Sequence, residues 1–359
     1  MIMKKKVDST EMTLKQRMTE LRAKTDLKLP LKGYTMIAID GHCFSRLIKN
    51  KYEKPFDNKF INIMNEVARY VCRYVEGCKF AYVQSDEITF VLTDFDNETT
   101  CAFFGNRLTK ILSIVPSMAT AKFNQLVIAD LCDTPCSNAD LKQMILDLKL
   151  AEFDCKAWPV NNLNDVYSYY LWRQIDCIRN SKQQTAQTWL SHKQLEGLDT
   201  DDQIKLLLDE KGIDWNTYDD GKKYGRFVYR EKEHYFNEKL NTEYDRTVWN
   251  IHPAFPIMGK EGKERFLALD KIPDIDAVRP DEAVPSELED IFKKYVDKKY
   301  PISRSSSLVN DLWFDSLDTV SLMMDLENKY GIKFDERENI TLITVEDVIK
   351  QLKKHGIKL

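Results

Sequence analysis

Two short stretches of this 359-residue chain put carboxylates at chain reversals. "IAIDG" ends in Asp40-Gly41, and "YVQSDEITF" holds Ser85, Asp86 and Glu87. Carboxylate oxygens suit Mg²⁺, whose octahedral shell leaves room for phosphate oxygens and water. Two such ions stabilise both the attacking and the leaving oxygen of an in-line displacement at phosphorus. Gly41 permits close approach and can lend a backbone carbonyl. Lys54, before Pro55, puts a cation on a turn where a triphosphate tail could meet it. Read alone, both tips also have a bland account, because Asp-Gly and polar turns occur in hairpins of every kind.

The intervening pattern supplies elements that would bring the acids together. "TEMTLKQRMTELRAK" predicts a helix with Leu14, Met18 and Leu21 on one face. Tyr34 to Asp40 is an apolar run rich in strand formers. A helix follows, with Phe60, Ile63, Met64, Val67, Val71 and Val75 at helical spacing and Gly77 as its terminator. "KFAYVQSDEITFVLTD" predicts two strands around a tight turn, the next segment a helix at least to Pro116, and "AEFDCKAWPV" a further strand. This β-α-β-β-α-β order predicts an α+β, ferredoxin-like fold: one antiparallel sheet with helices packed on one face. In that arrangement the end of the first strand and the hairpin lie side by side, so Asp40 and Asp86 converge on one sheet edge.

The remainder sets domain limits. Residues 270–287 hold three prolines among acids and break all periodicity, which predicts a linker over 270–284 between a domain at 1–269 and a small helical bundle at 285–359. Residues 1–33 carry nine Lys or Arg against four Asp or Glu, while 311–347 carry three basic against ten acidic side chains. One end suits a polyanion and the other a basic partner. Eight scattered cysteines suggest a reducing compartment, and the Cys132/Cys136 pair lacks a second pair at zinc-site spacing. Neither a signal peptide nor a membrane span is expected, so the chain is expected to be cytoplasmic.

The motifs "IAIDGHCFSRLIKNKYEKPFD", "AYVQSDEITFVL", "SIVPSMATAKFN", "FDCKAWPV" and "YLWRQIDCIRNS", in this order over roughly residues 10–250, resemble the tRNA-His guanylyltransferase family and its guanylyltransferase-like relatives. The resemblance implies a polymerase-like palm holding two Mg²⁺ ions, with ATP and GTP as substrates, tRNA as partner, and nucleotides added in the 3′-to-5′ direction. It also implies a dimer or tetramer. By motif, Asp40 and Asp86 would be the catalytic metal carboxylates, with Gly41 lending its carbonyl. Asp40, Gly41, His42, Cys43, Phe44 and Ser45, together with Ser85 and Asp86, would contact the nucleotide, and Lys54 its phosphates. Glu87 would support the hairpin. Arg173, Gln174 and Asp176 would shape the site or form a buried polar network, and Arg179, Asn180 and Ser181 would act in support or in tRNA contact. Two departures stand out. His42 replaces the basic residue usual after "DG". "IRNS" (Ile178–Ser181) replaces the "HINN" of enzymes that mature tRNA-His, which favours templated 5′-end repair.

"FDSLDTVSLMMDLENKYGIKF" resembles the recognition helix of acyl carrier proteins. That resemblance implies 4′-phosphopantetheine on Ser316, attached by a phosphopantetheinyl transferase, and an acyl-transfer enzyme as partner. The competing accounts are a helix cap at Asp315 or Ser316 and an unmodified docking module. For the whole chain the alternatives are a carrier or binding module that holds nucleotide or RNA without turnover, and a nucleotide cyclase. "WRQ" and "RNS" argue against the cyclase.

Overall fold

The computed structural model describes residues 12–47, 51–96, 100–237, 241–275, 284–296, 302, 304, 306, 308–309, 312, 314–334 and 344–359. The chain divides into two compact units, Met1–Val160 with Asn164–Ile272, and Pro273–Leu359 with Asn161–Leu163. Residues 276–283 of the expected linker lie outside the described residues.

The first unit is α+β, built on a six-stranded antiparallel sheet of order β4-β1-β3-β2-β5-β6. Its strands are β1 (Tyr34–Gly41), β2 (Cys78–Gln84), β3 (Glu87–Thr93), β4 (Phe153–Val160), β5 (Arg226–Asn237) and β6 (Thr242–Pro253). Its helices are α1 (Leu14–Ala23), α2 (Phe44–Leu47), α3 (Asn58–Tyr74), α4 (Leu108–Cys132), α5 (Asn138–Leu146), α6 (Leu163–Trp189), α7 (His192–Leu195), α8 (Thr200–Lys211), α9 (Asp220–Lys223) and α10 (Gly259–Leu267).

Strand alternation sends successive side chains to opposite faces. Ile37, Ile39, Ala81 and Val83 meet Val67 and Val71 of α3 and Ile111, Val115 and Ala119 of α4. The intervening Phe80 and Tyr82 point the other way, against Tyr170 of α6 (ring centroids 5.3 and 6.4 Å). Phe266 of α10 also packs on Phe80, at 5.6 Å. Helices therefore cover both faces, not the one face that the β-α-β-β-α-β pattern predicts. The second cover comes from α6 and α10, which lie outside that pattern.

Three features go beyond what the sequence pattern states. The apolar side chains of α1 do not pack: Leu14, Met18 and Leu21 are all exposed. Helix α4 runs through Pro116 to Cys132, its buried stripe outweighing the single hydrogen bond that proline removes. At 25 residues α4 is, by length and composition, able to cross a bilayer, although none was expected. Here Ile111, Val115 and Phe123 pack into the sheet core.

The second unit contains α11 (Ser286–Phe292), α12 (Ser316–Tyr330) and α13 (Val345–Lys354). They share a core that includes Leu288, Phe292, Leu322, Leu326, Val348 and Leu352. Helix α12 is capped by Asp315, whose Oδ1 accepts from the backbone N–H of Leu317 (2.7 Å) and Asp318 (2.8 Å). Asp318 returns the bond to the Asp315 N–H at 3.1 Å, completing a capping box. The cap is thus Asp315, and the side chain of Ser316 lies outside the described residues.

Candidate active site

Register fixes the site. Asp40, at the end of β1, stands opposite Glu87 on β3 and opposite Asp154 on β4. Three carboxylates thus lie in one row across three strands, on the face covered by α6. Like charges directly opposite each other destabilise a sheet, so such a row is costly unless a cation neutralises it. The two-residue tip between Gln84 and Glu87 then carries Asp86 into reach. Ser85 takes φ +45°, the left-handed conformation such a tight turn demands. The Gly41 N–H donates to the Asp86 carbonyl at 3.2 Å, locking strand end to hairpin tip.

Electrostatics record the crowding. The Asp40 carboxyl is pushed up to about 6 by burial first, then by Asp86, Glu87 and Asp154. Asp86 is raised by burial, which outweighs the stabilising hydrogen bond from Ser85 and the nearby charge of Lys54. Among the described residues no three His, Cys, Asp or Glu side chains converge as a ready-made metal cluster. Two carboxylates and a backbone carbonyl nevertheless fit Mg²⁺, which keeps several waters and substrate oxygens in its shell.

A cavity of about 440 Å³ opens beside Asp40 and Asp86, within the usual range for a small-molecule site. Ser45, Lys54, Ser85 and Glu87 line it, as do Arg173, Asp176, Asn180 and Ser181 from α6. The Lys54-Pro55 bond there is cis. Asp57 holds the loop by accepting from the Glu53 N–H (2.8 Å) and the Phe60 N–H (3.0 Å).

Other expected contacts are spent elsewhere. Phe44 is 1% exposed, its ring packed on Phe123 (5.1 Å) and Phe153 (5.0 Å). Its ring belongs to the core, so a nucleotide contact at this loop position would fall to its backbone. The ring also explains Gly41, since a Cβ there would lie 2.3 Å from it. Gln174 is buried and bonded to backbone groups, donating to Phe255 O (2.8 Å) and accepting from Ile257 N (2.8 Å). That is the buried-network account of this residue. His42 and Cys43 are exposed but do not line the cavity.

Arg173 grips Glu87 with both ends of its guanidinium, Nε to Oε1 at 2.8 Å and an Nη to Oε2 at 2.7 Å. It also reaches Asp176 at 2.8 Å. Glu87 is therefore held by Arg173, and Asp176 by Arg173 and Arg179. The Ser181 hydroxyl donates to Ile178 O (3.0 Å) and accepts from the Trp215 indole N–H (3.1 Å).

Sequence reading missed Asp154 and Arg226. Asp154 sits at an alternating position of β4 that carries no motif. Arg226 lines the cavity while 7% exposed, donating to Asn65 Oδ1 (3.0 Å) and Gly221 O (3.3 Å). Its signal, an arginine opening a strand, is too common to single out.

Apposed acids on an antiparallel sheet beside a cavity of this size are compatible with one class in particular, enzymes of nucleotidyl transfer. Comparison with known proteins points the same way, since this chain is similar to nucleotidyltransferases of the tRNA guanylyltransferase type. Residues 15–161 match the family model described as tRNAHis guanylyltransferase. An uncharacterised protein of Acanthamoeba polyphaga mimivirus is 28% identical over 230 residues, spanning 60% of this chain and 76% of that protein. The tRNA(His) guanylyltransferase of Neurospora crassa is 27% identical over 212 residues, 56% of this chain and 67% of the relative. A solved bacterial tRNA(His) guanylyltransferase-like protein in complex with ATP superposes with a TM-score of 0.59 at 29% identity, covering 72% of this chain and 99% of its own. Family model, curated relative and solved structure all support the tRNA-His guanylyltransferase family.

Proposed function

We propose that this chain adds nucleotides in the 3′-to-5′ direction to the 5′ end of tRNA, by templated end repair more than by dedicated guanylylation of tRNA-His. The observation that carries this reading is the convergence of Asp40 and Asp86 at one sheet edge, under a cavity of nucleotide size. On this reading the four strands β4-β1-β3-β2 serve as a polymerase-type palm. Asp40, Asp86 and the Gly41 carbonyl would hold Mg²⁺, which when bound neutralises developing charge on the transferred phosphate. Lys54 would orient the triphosphate of ATP or GTP, and Ser85 would position the hairpin tip against it. Glu87, clamped by Arg173, keeps that tip in place. "IRNS" at Ile178–Ser181 supports repair over tRNA-His maturation. With a tRNA lacking its first 5′ nucleotides, the added nucleotide should follow the base opposite it in the acceptor strand. Addition of G irrespective of that base would refute templating.

For the second unit we propose a carrier role, with 4′-phosphopantetheine on Ser316. The support is that Asp315 already caps α12, so the serine at the first helical position is not needed as the cap. Incubation with a phosphopantetheinyl transferase and coenzyme A should add one phosphopantetheine mass, and Ser316→Ala should prevent it. An unchanged intact mass would sink this assignment.

A further inference from the structure

Helix α6 presents to the cavity a row of side chains that the proposed chemistry leaves unused. Asn180, Gln183, Gln184 and Gln187 recur at i, i+3, i+4 and i+7, hence on one face, and all four line the cavity that holds Asp40 and Asp86. Among the described residues the Asn180 side chain makes only a 3.5 Å contact to Asp176 Oδ2, and the carboxamides of the three glutamines make no hydrogen bond, Gln184 accepting only through its backbone carbonyl from Thr188. A carboxamide carries both donors and an acceptor. Phosphate oxygens offer acceptors alone, whereas base edges offer both, and asparagine or glutamine pairs with such edges in bidentate fashion. At a rise of 1.5 Å per residue, the row from 180 to 187 is about 10 Å long. One base cannot span it; about three bases stacked 3.4 Å apart can.

We propose that the carboxamide face of α6 reads base edges of an RNA strand laid across the cavity. The inference rests on the RNA-end reading above and identifies where the strand's sequence, rather than its charge, is sensed. Single-stranded RNA is recognised in this way, by hydrogen bonds to exposed base edges.

The test is the double variant Gln184→Leu/Gln187→Leu in the full chain, which keeps helix-forming side chains of similar size. Its Kd for a 5′-truncated tRNA should rise about 10-fold or more, the loss expected for a bidentate base contact. Its Kd for ATP alone and its thermal midpoint should not change. The slope of log Kd against log salt should also stay as in wild type, because no phosphate contact is removed. Wild-type protein should lose similar affinity on a tRNA with abasic nucleotides at the acceptor end, and the variant should lose no more on it. Unchanged tRNA affinity in the variant, a loss in ATP affinity instead, or a flattened salt slope would each overturn the inference while leaving 5′ extension by the wild type intact. Wild-type protein that bound no tRNA would instead overturn the RNA-end reading, and this inference with it.

Discussion

Asp40→Asn should reduce 5′ extension by about 10³-fold or more, while making the metal-free protein more stable above pH 6. The first effect follows from the proposed site. A neutral amide removes one of two carboxylates that would hold the cation, and with it several kcal/mol of charge stabilisation in transition-state terms. Asp86→Ala should cost as much, by removing the other. The second effect follows from the sheet register. Asp40 faces Glu87 and Asp154 across the strands, and burial and these charges push its carboxyl up to about 6. A carboxyl raised above its unfolded value binds its proton more tightly when native, so stability falls as pH rises from about 4 through 6. Asparagine escapes that penalty. Thermal melts in EDTA should therefore show the variant above wild type at pH 7 and level with it at pH 4. A variant that is inactive and also less stable at pH 7 would mean that the acid row serves the fold rather than the reaction.

Phe44→Ala should have its main effect on stability. The family resemblance places this residue in a nucleotide loop, but its ring sits in an aromatic cluster with Phe123 and Phe153. Deleting a buried phenylalanine typically costs about 3–5 kcal/mol, or roughly 10 °C in thermal midpoint for a domain of this size. Measured well below that midpoint, the KM for ATP should move by less than about threefold, because the lost contacts are apolar and internal. A large rise in KM at unchanged thermal midpoint would return Phe44 to the nucleotide site. The same ring excludes any side chain at Gly41, so Gly41→Ala must displace either Phe44 or the strand end.

Strands β1 to β4 were legible because each is a concentrated apolar run closed by turn residues, and the hairpin tip at Ser85-Asp86 by its polarity between two such runs. Strand β6 was not legible: "TEYDRTVWNIHP" is polar and largely exposed, and pairing with β5 defines it. Helix α1 was legible as a helix, but a helical period states which face is apolar, not whether anything covers it. Within the site, Asp40 and Asp86 could be found because turns announce themselves. Asp154 could not, as its role arises only when register lays β4 beside β1. Gln174 and Phe44 share motifs with cavity residues and differ from them in the direction their side chains take, which depends on packing.

The central claim is growth of an RNA at its 5′ end, and end-labelling tests it directly. The protein is incubated with a 3′-labelled tRNA lacking its first 5′ nucleotides, together with ATP, the four nucleoside triphosphates and Mg²⁺. The product is then sized and its 5′ terminus sequenced. The site described here predicts lengthening at the 5′ end, dependent on Mg²⁺ and lost in Asp86→Ala. An unchanged 5′ terminus, or nucleotides added only at the 3′ end, would contradict it.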